Sequence, residues 1–153
     1  CVLPIYVSKL PLRLNPRSRW VSAGEACADL QNLTLEERQA TKPAPNDVKC
    51  WPRTRPGRRY ADFVARSEKR LSSFNVTRID RSQPSPTMTA TDGLRHWSEC
   101  RRLTFREVKR IGSFPDDYEA KSEHIGKYMV GMSVPPRMTE AVARAVADQW
   151  LLT

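Results

Sequence analysis

Apolar positions in this chain fall into short runs separated by stretches rich in proline and charge, and the period of each run predicts its element. The opening CVLPIYV is β-branched and aromatic and gives way to KLPLRLNPRSRW, which predicts one strand followed by a loop. In WVSAGEACADLQNL, Ser22 and Glu25 have capping-box spacing ahead of apolar residues and predict a two-turn helix. Thr34 and Glu37 repeat that spacing and predict another short helix. Residues 41–57, TKPAPNDVKCWPRTRPG, carry prolines that each remove a backbone donor, so irregular structure is expected there. Tyr60, Phe63, Val64 and Leu71 then fall near one helical face over residues 60–71, with charges opposite.

Alternation returns around Phe74, Val76 and Ile79, breaks at Pro84 and Pro86, and resumes at Thr87, Met88 and Thr89. This predicts either a β-ribbon presenting Arg78, Arg81 and a threonine pair or an ordinary hairpin. Asp92-Gly93 is a turn signal, and His96 and Trp97 lead into RRLTFREVKRIGSFPDDY. There Thr104 and Glu107 form a third capping-box pattern, and Leu103 and Val108 have the spacing of a hydrophobic staple. Gly112 suits the left-handed residue past a helix end, and Phe114-Pro115 prevents continuation. Arg106, Lys109 and Arg110 are expected on the outer surface of that helix. After GMSVPPRM, whose paired prolines suit a helix entry, Val142, Val146 and Trp150 recur at helical spacing with Ala145 beside them, which predicts a terminal helix with one apolar side.

Charge adds a partner class to this outline. The net charge is +9, with 17 Lys and Arg against 10 Asp and Glu in residues 1–100, so the basic surface lies mostly in the first two thirds. Residues 53–70 carry the densest cluster, a candidate for phosphate contacts with a polyanion such as nucleic acid. The four cysteines (Cys1, Cys27, Cys50, Cys100) are far apart and include no CxxC pair, which suits reduced thiols in the cytoplasm. On that reading the sequons at Asn32 and Asn75 are coincidental. No apolar run approaches the roughly 18 residues a membrane helix needs. The first residue is Cys rather than Met, which suggests processing, trimming or a start inside a longer reading frame.

A self-sufficient active site is not visible. No Gly-rich phosphate loop occurs, and His96 and His124 are isolated from each other and from cysteine, so no metal site is expected. Asp116 and Asp117 are adjacent and diverge on a turn more readily than they converge as an acid/base pair. No cysteine sits in an evident basic niche.

RRLTFREVKRIGSFPDDY, followed after a short gap by YMVGMSVPPRMTEAVARAVA, resembles the ninth and tenth motifs of bacterial and phage cytosine-5 DNA methyltransferases. The ninth is matched by Arg102, Leu103, Thr104, Arg106, Glu107, Phe114, Pro115 and Asp116. The upstream PSPTMTA resembles the threonine-bearing end of that family's target-recognition region, with Thr87 where the DNA backbone is usually contacted. The tenth motif departs from the family's Gly-Asn-Ser/Ala-Val by carrying Met132 in place of the asparagine.

The resemblance implies an α+β fold: a small target-recognition domain of short strands and helices, with a C-terminal helix that packs on a Rossmann-like catalytic domain. Residues 1–12 would end the catalytic sheet, 13–127 would form the recognition domain with the ninth-motif helix, and 128–153 the tenth motif and terminal helix. It also implies double-stranded DNA as a partner, with the target cytosine swung out of the stack, attacked by a cysteine thiolate and methylated from S-adenosylmethionine. Expected DNA contacts are Arg53, Arg55, Arg58, Arg59, Arg78, Arg81, Thr87, Thr89 and Arg95, and Ser133 and Val134 would line the cofactor. The family's Phe-x-Gly-x-Gly, Pro-Cys-Gln, Glu-Asn-Val and Gln-x-Arg-x-Arg are absent from the 153 residues. The chain is therefore expected to be inactive alone and to need a catalytic N-terminal half or subunit. The alternative is a stand-alone DNA-binding or regulatory remnant.

Overall fold

The computed structural model describes residues 12–14, 19–30, 32–62 and 76–151. In chain order these form α1 (Ala23–Ala26), α2 (Leu35–Ala40), α3 (Pro45–Cys50), 3₁₀ turns at Trp51–Arg53 and Tyr60–Asp62, β1 (Thr77–Arg78) and β2 (Leu94–Arg95). They continue with α4 (Phe105–Ile111), α5 (Glu123–Met132) and α6 (Pro136–Val146), which widens into a π-helical stretch at Ala147–Leu151. Helices mixed with a two-stranded sheet are consistent with α+β. The strand expected at the start of the chain lies outside the described residues, as does the helix expected at 60–71 beyond its first turn.

All three capping boxes form. At Ser22, Thr34 and Thr104 the hydroxyl accepts from the backbone N–H three residues on, and the glutamate there accepts from the cap's own N–H. The α1 helix is shorter than the expected two turns. Residues 41–57 are not irregular, because two of their prolines stand where a helix can use them. Pro45 takes the first position of α3, where a missing N–H costs nothing, and the Asp47 carboxylate accepts from the Ala44 N–H at 2.9 Å. Pro52 stands in the first turn of the 3₁₀ segment that follows.

The sheet also differs from the expected ribbon. β1 and β2 pair in parallel, Thr77 opposite Leu94 and Arg78 opposite Arg95, with residues 79–93 as the connection. Thr87–Thr89 pairs with no strand, since Pro84 and Pro86 cannot donate to a ladder. On its other side β1 meets residues 57–60 in an antiparallel sense: Arg78 N donates to Arg58 O, and Gly57 N to Arg78 O. β2 is followed by a similar bridge between Arg95 and Arg102.

The buried apolar centre is small: Ala23, Ile79, Leu94, Leu103, Val108 and Val130, with Phe105, Phe114 and Tyr118 among the residues packed around it. Both members of the expected staple, Leu103 and Val108, belong to it. The end of α4 differs from expectation by one residue. Gly112 has an ordinary φ of −76°, and Ser113, at φ 60°, is the left-handed residue. Phe114 N donates to Lys109 O and Ser113 N to Arg110 O, which is the Schellman pattern. A β-carbon on Gly112 would stand 3.0 Å from the Met88 methyl and 3.1 Å from the Phe114 ring and the Val108 carbonyl oxygen, tight contacts to which these neighbours would have to yield.

Nothing in the alternation announced α5, whose sequence EHIGKYMVGM carries two glycines that disfavour a helix. Its path explains them. A β-carbon on Gly126 would lie 2.6 Å from the Phe105 ring, and one on Gly131 would lie 2.5 Å from the Thr89 carbonyl. The expected division at 127/128 falls inside this helix. In α6 no residue is buried, although Val142, Ala145 and Val146 are partly covered and Trp150 is 39% exposed. Hydrogen bonds tie the helix and its π-helical extension to other described residues. Arg137 N donates to Ser113 Oγ, and the Gln149 side chain exchanges two hydrogen bonds with the Arg13 backbone.

Candidate nucleic-acid interface

The ninth-motif segment is built on buried charge. Glu107 is 1% exposed, and both its oxygens accept from Arg101, at 2.8 Å each; Oε2 also accepts from Thr104 N. Burial alone would raise the Glu107 carboxyl, but the Arg101 hydrogen bonds and charge bring it below its ordinary value. The arginine that holds Glu107 is thus Arg101, while the Arg102 guanidinium is part-exposed and 3.9 Å from Asp92. His96 completes the cluster. Its Nδ1 accepts from the Glu99 and Ser98 N–H groups, which leaves the proton on Nε2, 3.6 Å from Glu107 Oε1. Burial, together with the nearby Arg101 charge, pushes the His96 pKa down to about 4, so the ring is neutral at pH 7.

The cations expected on the outside of α4 are largely engaged. Arg106 donates to both oxygens of Glu37, at 2.5 and 2.8 Å, and to Asn32 O, which fastens α2 to α4. Lys109 is buried, because its ammonium reaches back past the Phe105 ring to cap the Asp116 and Tyr118 carbonyls. Arg110 pairs with Asp29 and Asp116. Phe114 and Tyr118 pack as a tilted pair with centroids 5.1 Å apart and planes at 50°, and Pro115 is exposed. Together these contacts fix the 113–118 turn and the helices around it.

Two of the arginines expected at DNA turn inward. Arg95 is 6% exposed; its Nε donates to the buried Asp47 at 2.7 Å and its Nη1 to the Asp92 and Leu94 carbonyls. Arg78 lies 3.7 Å over the Trp51 ring and donates to the Trp97 and Thr54 carbonyls. Neither guanidinium is free for a phosphate, because each satisfies backbone or carboxylate groups that would otherwise be stranded. The remaining candidates are exposed: Arg53, Arg55, Arg58 and Arg59 on the segment fastened along β1, then Arg81, Thr87 and Thr89. Arg81 is fixed at its backbone, where its carbonyl accepts from Gly24 N.

The segment carrying Thr87 and Thr89 borders an open cleft of about 680 Å³. Trp20, Pro86, Arg110, Phe114, Ser133 and Met138 also line it. Ser133 Oγ donates to Met129 O, and Val134 is 60% exposed. The two residues expected at the cofactor thus offer an edge and no enclosure, and among the described residues they do not fit a complete S-adenosylmethionine site. Two of the described cysteines are poorly suited to act as thiolates, and Cys50 is buried. Cys27 is buried against Glu107 O, and burial pushes its thiol up to about 12, while burial also raises Cys100. Among the described residues no group of three metal-ligating side chains occurs, and no helix is long and apolar enough to cross a membrane.

Three of these buried residues, Arg101, His96 and Asp47, were not singled out for the site by sequence. The one available signal was Arg101 standing two residues before a Leu-Thr cap pattern.

Comparison with known proteins gives this architecture its family. The C-5 cytosine-specific DNA methylase family matches residues 22–148. The chain is 30% identical over 138 residues to the type II methyltransferase M.AquIB of Picosynechococcus sp., covering 80% of this chain and 95% of that protein. It is 32% identical over 142 residues to the type II methyltransferase M.BbvI of Brevibacillus brevis, covering 85% of this chain but 37% of that protein. A third relative, M.Bpa9945I of Bacillus paralicheniformis, is 47% identical over 51 residues, 33% of this chain and 12% of its own length. No solved structure matches the chain. With the family model matching residues 22–148, most of its length, the chain belongs to the C-5 cytosine-specific DNA methylase family.

Proposed function

We propose that this chain is the DNA-recognition segment of a cytosine-5 DNA methyltransferase, and that it positions a target cytosine for a catalytic half carried elsewhere. The observation that carries the reading is a contrast within one sequence. A family match spans residues 22–148, while Pro-Cys-Gln, Glu-Asn-Val and the cofactor-binding Phe-x-Gly-x-Gly are absent from the 153 residues. A relative named as a methyltransferase and covered to 95% by this chain supports a division of the enzyme between polypeptides.

In this reading the exposed Arg53, Arg55, Arg58, Arg59 and Arg81 contact phosphates, and Thr87 and Thr89 set the recognition segment against the DNA. Arg78 and Arg95 hold that surface together from inside. The partly covered Val142 and Val146, with Trp150, meet the catalytic domain, and Ser133 and Val134 complete the wall of a cofactor site whose other residues lie in that domain. S-adenosylmethionine supplies the methyl group there. The role of this chain is to bind, orient and hold the duplex.

Fluorescence anisotropy with labelled duplex DNA across a salt series tests the binding half of the proposal. If about six phosphates are neutralised, log affinity falls against log salt with a slope of about −5. A flat salt dependence, with the catalytic half supplied, contradicts it.

A further inference from the structure

Helix α5 touches the segment that carries the two threonines at two separate places. The first is Gly131. A β-carbon there would stand 2.5 Å from both the Thr89 carbonyl carbon and its oxygen, and 2.6 Å from Ala90 N, closer than real β-carbons approach other atoms. The obstructing atoms are backbone, so no side-chain rotation could relieve the clash. Only the bare α-carbon lets the helix lie against residues 89 and 90 at this distance. The second place is one helical turn earlier. The Lys127 ammonium, itself 7% exposed, donates to Asp92 Oδ2 and to Leu103 O, at 3.2 Å each. Asp92 stands at φ 50°, a left-handed conformation that aspartate and asparagine tolerate best among side-chain-bearing residues.

Between these two points Met88 packs against the apolar centre, but the segment does not fill all the space beneath it. A small cavity of about 20 Å³ lies there, lined by Met88, Thr89, Asp92, Leu103 and Lys127 among others. Thr89 and Thr91 bond to one another at 2.8 Å, and both are exposed. The height of Thr87–Thr91 above the body is therefore set by the two contacts with α5 together with the Met88 side chain, which rests on the core.

We infer that Gly131 and Lys127 are positioning residues for the Thr87–Thr91 segment, so that the helix leading into Ser133 and Val134 also fixes where the recognition threonines stand. Displacement of one end is felt at the other. The inference rests on the DNA-recognition reading for its functional meaning, but its structural content can be read without DNA.

The test compares Gly131→Ala with Gly126→Ala in the full chain. Both add one methyl to the same helix at a similarly close approach, but Gly126 meets the Phe105 ring and leaves residues 87–91 alone. Amide chemical shifts of residues 87–91 should move in G131A and stay in place in G126A. Affinity for a fluorescein-labelled mixed-sequence duplex should fall about tenfold in G131A and less than about twofold in G126A, since mis-set hydrogen bonds to charged phosphates cost about that factor. Unmoved amides in folded G131A, or equal effects of the two variants, overturn the inference. If G131A does not fold, Asp92→Asn decides, because it keeps the left-handed residue and weakens the Lys127 tether, along with the longer 3.9 Å pairing to the part-exposed Arg102. The same amides should then shift, and unmoved amides overturn the inference. Amides that move as expected while the wild-type chain binds no duplex would leave the positioning in place and remove the DNA reading.

Discussion

Glu107 shows how single residues here do the work that a larger apolar core would do elsewhere. It joins Arg101, the Thr104 cap and the neutral ring of His96 within one buried cluster. Removing its charge leaves the buried Arg101 with only the more exposed Glu99 carboxylate as an ionic partner, and breaking a buried pair from one side costs up to about 3–5 kcal/mol. Glu107→Gln should lower unfolding stability by that order in urea titrations, more than any substitution among the exposed arginines. His96 gives the cluster a pH signature. Its folded pKa, about 4, lies below the ordinary value of 6.5, so the unfolded chain binds the extra proton first. Stability is full above pH 6.5 and falls as pH drops toward 4, by about 3 kcal/mol for a shift of this size. Glu37 and Glu107, both held below their ordinary values by arginine partners against the opposing effect of burial, extend the loss below pH 4.5. Glu123, raised by burial, works in the opposite direction. His96→Asn keeps an acceptor near the Nδ1 position and should flatten the slope between pH 6.5 and 4 in thermal unfolding followed by circular dichroism.

At the scale of elements, local chemistry and long-range chemistry separate cleanly. Thr104→Ala removes an acceptor that satisfies the Glu107 N–H and should cost about 1 kcal/mol, read from the urea midpoint. Such caps were legible because donor and acceptor sit three residues apart. The starts of α1, α2 and α4 accordingly fall where the sequence predicts them. α3 was missed because its prolines read as breakers, although a proline at the first helical position is neutral. α5 was missed because Gly126 and Gly131 weaken its intrinsic preference, and the reason for them, a ring and a strand of backbone passing close by, lies far away in sequence. The parallel pairing of β1 with β2 was hidden for a similar reason. Two-residue strands carry too little alternation to declare a register, and an interrupted run between turn signals resembles a hairpin.

For the molecule as a whole, the net charge of +9 pointed to a polyanionic partner but could not sort its own arginines. Nothing local distinguishes Arg95, whose Asp47 partner stands 48 residues away, from the exposed Arg58. The family resemblance identified the ninth-motif segment, while packing showed that this segment is a frame and that the exposed cations lie on other elements. The central claim is that this frame presents DNA to chemistry housed in another polypeptide or another part of a longer one. Transfer of labelled methyl groups from S-adenosylmethionine to duplex DNA measures it directly, using the chain alone, a polypeptide carrying the Pro-Cys-Gln and Glu-Asn-Val motifs alone, and the two together. The account predicts incorporation only in the combined sample; methylation by the 153-residue chain unaided, or full activity of the other polypeptide without it, would contradict it.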